Sequence, residues 1–172
     1  MIKVAVIGVG SISECHLDAY VKNKDAELYA ICDINPETLK RQGERYNIPE
    51  ERRFLDYKEL LKLPEIDAVS VCTWNSEHAP VTIAALQAGK NVLCEKPMAI
   101  NSEEAKKMLD AAEKSGKLLT IGYQTRQTAQ AQYLKAESEM GTFGDIYFAR
   151  ACAVRRRAVP TWGVFLNEYE QG

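Results

Sequence analysis

Val4-Ala5-Val6-Ile7-Gly8-Val9-Gly10-Ser11-Ile12-Ser13 decides the fold. An apolar strand runs into a glycine-rich turn, and the turn opens a helix. The spacing is GxGxxG with serine at the third glycine. Gly8 permits the tight turn, and Gly10 lets the main chain approach a pyrophosphate. The helix start offers unpaired N–H groups and a positive dipole end to that anion. Ser13 is small enough to keep helix and strand close, less comfortably than glycine. Gly8, Gly10, Ser11 and Ile12 are therefore candidate cofactor contacts. The spacing alone is a weak signal, but directly after an N-terminal strand it is much stronger.

Outward from this turn the chain alternates. Apolar runs of strand length occur at 2–7, 27–32, 67–72, 91–94 and 118–122, with a weaker one at 53–55. Most are apolar on both faces, as strands covered by helices on both sides must be. Helical punctuation lies between them. Asn35-Pro36 is a cap followed by a first-position proline, and Asp56 caps a short helix holding Leu60 and Leu61. The segment 78–88 is a helix stopped by Gly89. Asn101 and Glu104 form a capping box for a helix over 102–115 that ends at Gly116. The predicted class is α/β, a doubly wound parallel sheet of the NAD(P)-binding Rossmann type.

Asp33 ends the second strand at the distance where this fold places a ribose-binding carboxylate. It would accept from both adenosine ribose hydroxyls and repel a 2′-phosphate, favouring NAD over NADP. S-adenosylmethionine enzymes share the glycine turn and the acidic residue, so a methyltransferase competes at this point. The later strand ends argue against it. Thr73-Trp74-Asn75-Ser76-Glu77-His78 follows the fourth strand, Glu95-Lys96-Pro97 the fifth and Tyr123-Gln124-Thr125-Arg126 the sixth. Ligands of open α/β sheets bind outside these carboxyl ends. A lysine there could stabilise a substrate alkoxide as a C–H bond breaks, with Glu95 pairing to it and fixing its position.

These residues together resemble the Gfo/Idh/MocA oxidoreductases, whose members include glucose–fructose oxidoreductase and inositol 2-dehydrogenase. The resemblance runs from residue 2 to about residue 157 and is carried above all by Glu95-Lys96-Pro97. It implies a Rossmann domain followed by a second α/β domain, and hydride transfer between NAD(P) and a sugar, cyclitol or related polyol. It also implies that Gly8, Gly10 and Asp33 bind cofactor. Thr73, Asn75 and His78 would line the cofactor cleft, with His78 near the nicotinamide. Glu95 would touch a cofactor ribose, Lys96 would be the catalytic contact to substrate, and Arg126 would line the cleft. Trp74 departs from the family's usual proline; its indole either packs along the adenosine or ribose or fills the core. His16 reads as a helix residue near the cleft rim and not as a catalyst.

The expected division is a NAD-binding domain over 1–125, then a linking helix and first strand of a truncated second domain over 126–172. Residues 126–140 are predicted as a helix, Gly141-Thr142-Phe143-Gly144 as a turn, and Asp145 to Arg157 as a long strand. Arg155, Arg156 and Arg157 read as a solvated or domain-contacting cluster. The family's acid–base segment has no counterpart before Gly172, so the chain is expected to be an N-terminal portion of a longer enzyme. A non-catalytic NAD-binding sensor is the alternative.

Composition narrows the partners. Hydrophobic residues are 46% and charged residues 27% of the 172, enough apolar material for a core. A net charge of −2 gives no basic footprint for nucleic acid or anionic lipid. No apolar run reaches the roughly 18 residues that a membrane span needs, and the N-terminus reads as a strand rather than a signal peptide. Of the five cysteines, Cys32, Cys72, Cys94 and Cys152 sit in or at the ends of candidate strands and are expected to be buried thiols. Their number and spacing argue against disulfides and a metal site, and imply a reducing, cytoplasmic setting. The full-length protein is expected to be a homo-oligomer.

Overall fold

The computed structural model describes residues 1–154 and Arg156. All six apolar runs are strands: β1 (Ile2–Ile7), β2 (Ala26–Cys32), β3 (Arg53–Phe54), β4 (Ala68–Val71), β5 (Asn91–Cys94) and β6 (Leu119–Ile121). They form one parallel sheet in the order β3-β2-β1-β4-β5-β6. The chain starts in the middle of the sheet, winds outward to β3, then crosses back over β1 to build the other half. The strand order therefore reverses between β1 and β4, and this is where a doubly wound sheet opens a crevice.

The helices are α1 (Ser13–Lys22), α2 (Pro36–Arg45), α3 (Tyr57–Leu61), α4 (Asn75–Gln87), α5 (Ser102–Ser115) and α6 (Ala129–Glu139). Their ends follow the chemistry of the sequence. Asn35 Oδ1 accepts from Glu37 and Thr38 N–H, and Asp56 accepts from Lys58 N–H. Asn101 accepts from Glu104 N–H, while Gly116 closes α5 at φ 64°. Only that half of the capping box forms, since Glu104 Oε2 has no hydrogen-bond partner. Helix α4 begins at Asn75, three residues before the predicted start, because Trp74 is already extended at ψ 156° and Asn75 is the first helical residue.

The period-two alternation of the strands sorts the core into two layers. Ala5, Ile7, Val69, Val71, Val92 and Cys94 face a layer with Leu60, Val81, Leu86 and Met108 from α3, α4 and α5. Val6, Ile31 and Cys72 face Leu17 of α1 and Leu39 of α2. The register of β1 on β2 slips between Val4 and Ala5, so Tyr29 is an extra residue in β2. Its ring is sandwiched by cations, with Lys3 at 4.6 Å and Arg52 at 4.0 Å from the centroid.

The chain divides into two compact units, the first running from Met1 to Gly122 and the second beginning at Tyr123. In the second, a 3₁₀ turn over Gln124–Gln127 precedes α6, whose cap is Thr128. The turn at Gly141 and Gly144 is present, with φ values of 77° and 60°. The strand predicted from Asp145 is not: residues 145–154 have no regular structure and are exposed. An apolar run can make a strand only where a neighbouring strand takes its main-chain groups, and none among the described residues does. Arg155, Arg157 and the tail from Pro160 lie outside the described residues, and Arg156 is exposed.

Cys32, Cys72 and Cys94 are buried as expected, whereas Cys152, with its strand unformed, is exposed together with Cys15. Burial pushes the Cys32 thiol up to about 12 and the Cys94 thiol up to about 11, and raises Cys72 well above its ordinary value. Partial burial and the neighbouring Glu95 charge also raise Cys15. Only thiolates react readily. A disulfide reagent at pH 8 is expected to titrate Cys152 first and Cys15 more slowly, and to reach the three buried thiols only in denaturant. Rapid modification of all five in the folded protein would contradict this packing.

Candidate functional site

The glycine turn after β1 and the segments after β2, β4 and β5 lie at the carboxyl edge of the sheet, and main-chain crowding joins the turn to the segment after β4. Gly8 has φ +84°, a conformation L side chains rarely adopt. A Cβ there would stand 2.7 Å from the Cys72 carbonyl oxygen and 2.8 Å from Thr73 N. Only glycine lets the turn after β1 pass this close to the end of β4. Gly10 is the opposite case, since a Cβ built on it meets nothing within 4 Å. Its surface faces open space, as a residue under a pyrophosphate must.

The start of α1 carries no side-chain cap, with Ile12 in the cap position. Ser13 is fully buried and its hydroxyl donates to Gly10 O at 2.6 Å, tying the turn to the helix. Ser11 and Ile12 are exposed. Asp33 follows β2 and holds the same turn from the other side. Its Oδ2 accepts from Val9 N–H at 2.8 Å and its Oδ1 from Asn35 N–H at 2.8 Å. A carboxylate has about four acceptor positions, so both oxygens keep capacity for a diol.

After β4, Thr73 Oγ1 is buried without a hydrogen-bond partner. Trp74 is 44% exposed and does not fill the core. Asn75 opens α4. His78 is only 1% exposed. Its Nδ1 lies 2.6 Å from Pro97 O and its Nε2 lies 3.2 Å from Thr73 O. A neutral imidazole donates from one nitrogen, and the shorter contact assigns that proton to Nδ1. His78 thus cross-links the segments after β4 and β5, with both nitrogens turned to main-chain oxygens.

Glu95 ends β5. The expected ion pair with Lys96 does not form. Glu95 Oε1 instead faces His16 Nε2 at 2.9 Å, and Oε2 accepts from the Lys96 main-chain N–H at 3.2 Å. Lys96 itself is exposed, and its ammonium makes no ion pair among the described residues. The Lys96–Pro97 peptide is cis. His16, expected near the rim of the cleft, is buried to 9% exposure against Ser70 and Glu95. The missed signal is its spacing. His16 and Tyr20 are four apart on one face of α1, opposite the polar Ser70 of an otherwise apolar strand. Arg126 belongs to the second unit, where its guanidinium stands 5.4 Å from the Tyr123 ring centroid.

The strand order, the open space at Gly10, the uncapped helix start and the orphaned Thr73 hydroxyl suit a dinucleotide with a pyrophosphate and hydroxyl-bearing riboses. They define a dinucleotide-binding Rossmann domain. Residues 2–123 match the oxidoreductase family with an NAD-binding Rossmann fold. The chain belongs to this family, the Gfo/Idh/MocA oxidoreductases.

Two curated relatives show the range. A D-glucoside 3-dehydrogenase of Escherichia coli (strain K12) is 37% identical over 172 residues, covering 99% of this chain and 48% of that protein. A myo-inositol 2-dehydrogenase of Thermotoga maritima is 32% identical over 148 residues, 86% of this chain and 44% of that protein. Among solved structures, the WlbA dehydrogenase from Bordetella pertussis in complex with NADH and UDP-GlcNAcA has a TM-score of 0.79 at 35% identity. It is matched over 85% of this chain and 44% of its own. The chain spans about half the length of the curated relatives it matches.

The two glycines separate folding from binding. Gly10→Val is expected to leave the melting temperature within a few degrees of the parent and to abolish NADH binding, read by nucleotide fluorescence. Gly8→Val is expected to unfold or strongly destabilise the protein. A folded Gly10→Val variant with parental affinity would place the nucleotide elsewhere.

Proposed function

We propose that this chain supplies the cofactor-binding part of an NAD-dependent dehydrogenase acting on a sugar, cyclitol or related polyol. One observation carries the reading: an unpaired lysine ammonium, Lys96, next to a carboxylate committed elsewhere, at the edge of a nicotinamide-nucleotide crevice. The names of the relatives, a D-glucoside 3-dehydrogenase and a myo-inositol 2-dehydrogenase, support a secondary alcohol as the reacting group.

When bound, NAD supplies the hydride acceptor. The rest is the protein's work. Amides of Gly10, Ser11 and Ile12 at the start of α1 hold the pyrophosphate. Thr73, Trp74 and Asn75 would flank the nucleotide beyond β4. His78, donating from Nδ1 to Pro97 O, ties the Glu95-Lys96-Pro97 turn to α4. Glu95 accepts from a ribose hydroxyl. Lys96 Nζ would donate to the substrate hydroxyl oxygen and stabilise the negative charge there as the hydroxyl proton passes to a general base of the full-length enzyme and the hydride leaves the carbon. We place the full-length protein in the cytoplasm as a homo-oligomer with no nucleic-acid partner. The thiol usage and the −2 net charge support the first and last of these. No helix among the described residues is long and apolar enough to cross a membrane.

Calorimetric titration with NAD, NADH, NADP and S-adenosylmethionine tests the assignment. NAD and NADH are expected to bind, S-adenosylmethionine is not, and NADP is expected to bind more weakly than NAD. A 2′-phosphate would stand against the Asp33 carboxylate, and the next side chain, Ile34, is apolar and 76% exposed. The double variant Asp33→Ser, Ile34→Arg is expected to narrow or invert the preference. A tenfold preference of the parent for NADP, about 1.4 kcal/mol, would overturn the role of Asp33. In the full-length enzyme, Lys96→Ala is expected to leave NAD affinity near the parental value and to lower turnover roughly 10²–10⁴-fold. Parental turnover in Lys96→Ala would remove Lys96 from the chemistry.

A further inference from the structure

The buried polar groups between α1 and β4 form a single chain that ends on Glu95. Ser70 alternates with Val69 and Val71, so it turns to the α1 face of the sheet, where it is fully buried. Two side chains of α1 reach it. Tyr20 Oη lies 2.6 Å from Ser70 Oγ, and His16 Nδ1 lies 3.2 Å from the same oxygen. The other nitrogen of His16 lies 2.9 Å from Glu95 Oε1.

The directions of these bonds follow from the end that cannot donate. An ionised carboxylate only accepts, so His16 donates from Nε2 to Glu95. In a neutral ring Nδ1 must then accept, and Ser70 is its donor. The Ser70 oxygen is left to accept from Tyr20. Burial raises the Tyr20 phenol above its ordinary value, so its hydroxyl keeps the proton this requires. Every hydrogen from Tyr20 to Glu95 has one place. Gly122 confines the far side of Glu95, since a Cβ there would be 3.0 Å from Oε1.

We propose that His16 is a positioning residue, acting through Glu95 to set the cofactor-facing carboxylate and to keep it from neutralising Lys96. The proposal rests on the reading of Glu95 as a cofactor contact. Without the His16 bond, Oε1 has no protein donor, and the carboxylate is free to turn toward the adjacent ammonium. With it, one oxygen is held by the imidazole and the other by the Lys96 main-chain N–H. Lys96 then keeps its charge for the substrate.

Two substitutions separate positioning from packing. Glutamine can place an amide N–H where His16 Nε2 lies, keeping the donor to Glu95. Asparagine reaches only as far as Nδ1, keeping the Ser70 side and losing Glu95. NADH titration of the 172-residue chain is expected to give His16→Gln an affinity near the parent. His16→Asn is expected to bind about tenfold more weakly, the scale of a lost hydrogen bond to a charged group, at a comparable melting temperature. Nitrogen-15 NMR at pH 8 is expected to show His16 as the Nε2–H tautomer, assigned by loss of its signals in His16→Gln. Parental affinity in folded His16→Asn, or an Nδ1–H tautomer for His16, overturns the proposal. The underlying reading is tested apart from it. Glu95→Gln with unchanged NADH affinity removes Glu95 from the cofactor site, whereas weakened binding in Glu95→Gln with parental His16→Asn removes only His16.

Discussion

The main chain of Gly8 runs against the main chain of Cys72 and Thr73 with no room for a side-chain carbon, and the architecture depends on that approach. It occurs where β1 and β4 part company with their connections, which leave in opposite directions. A central strand buried on both faces must end in a turn tight enough to begin a helix beside it. Gly8 satisfies the turn by its positive φ and the approach by its missing Cβ. The crevice proposed for the nucleotide lies above this contact. The open surface of Gly10 is its complement, close packing below and vacant space above.

Charge at the rim is handled in one way twice. Asp33 and Glu95 each present a carboxylate at a strand end, and each has both oxygens engaged by the protein. Asp33 is held by two main-chain N–H groups and Glu95 by one main-chain N–H and an imidazole. Engaged oxygens orient a carboxylate without filling all its acceptor positions. The acids are therefore rigid and still able to receive hydroxyl groups. Lys96, the cation beside them, is left without an ion-pair partner among the described residues. This combination of fixed acids and an uncommitted base-side cation suits a site that must bind a ribose-rich cofactor and polarise a hydroxyl.

Most of the first unit was legible in the chain itself. The six apolar runs, the Asn35-Pro36 start, the Asp56 cap and the Gly116 stop are local signals, and each acts within a few residues of where it is written. The position of Asp33 beside the glycine turn was legible because that turn lies at a fixed distance earlier in the same βαβ unit. Readings that required a distant partner fared differently. Asp145 to Arg157 is apolar over much of its length, as a strand can be, but a strand is a relation between two segments, and no described segment pairs with it. Cys152 is exposed for the same reason. Glu95 and Lys96 are adjacent in sequence and suggested an ion pair, yet the carboxylate finds His16, which is 79 positions away.

The sequence by itself determined the alternation of strand and helix, the glycine turn and the acidic end of β2. Hydrophobic period, capping and glycine geometry all operate over a few neighbouring residues. Only the tertiary structure decided which side chains meet. Parallel order brings β4 and β5 beside β1, period-two alternation turns Ser70 toward α1, and His16 then stands between Ser70 and Glu95. It likewise decided that His78 is a cross-link between two loops and that Tyr29 is the extra residue of β2, gripped by Lys3 and Arg52. Those outcomes depend on register and on the stacking of elements far apart in the chain. A hydrogen bond is governed by distance in space, and the order of residues encodes that distance only after the sheet has formed.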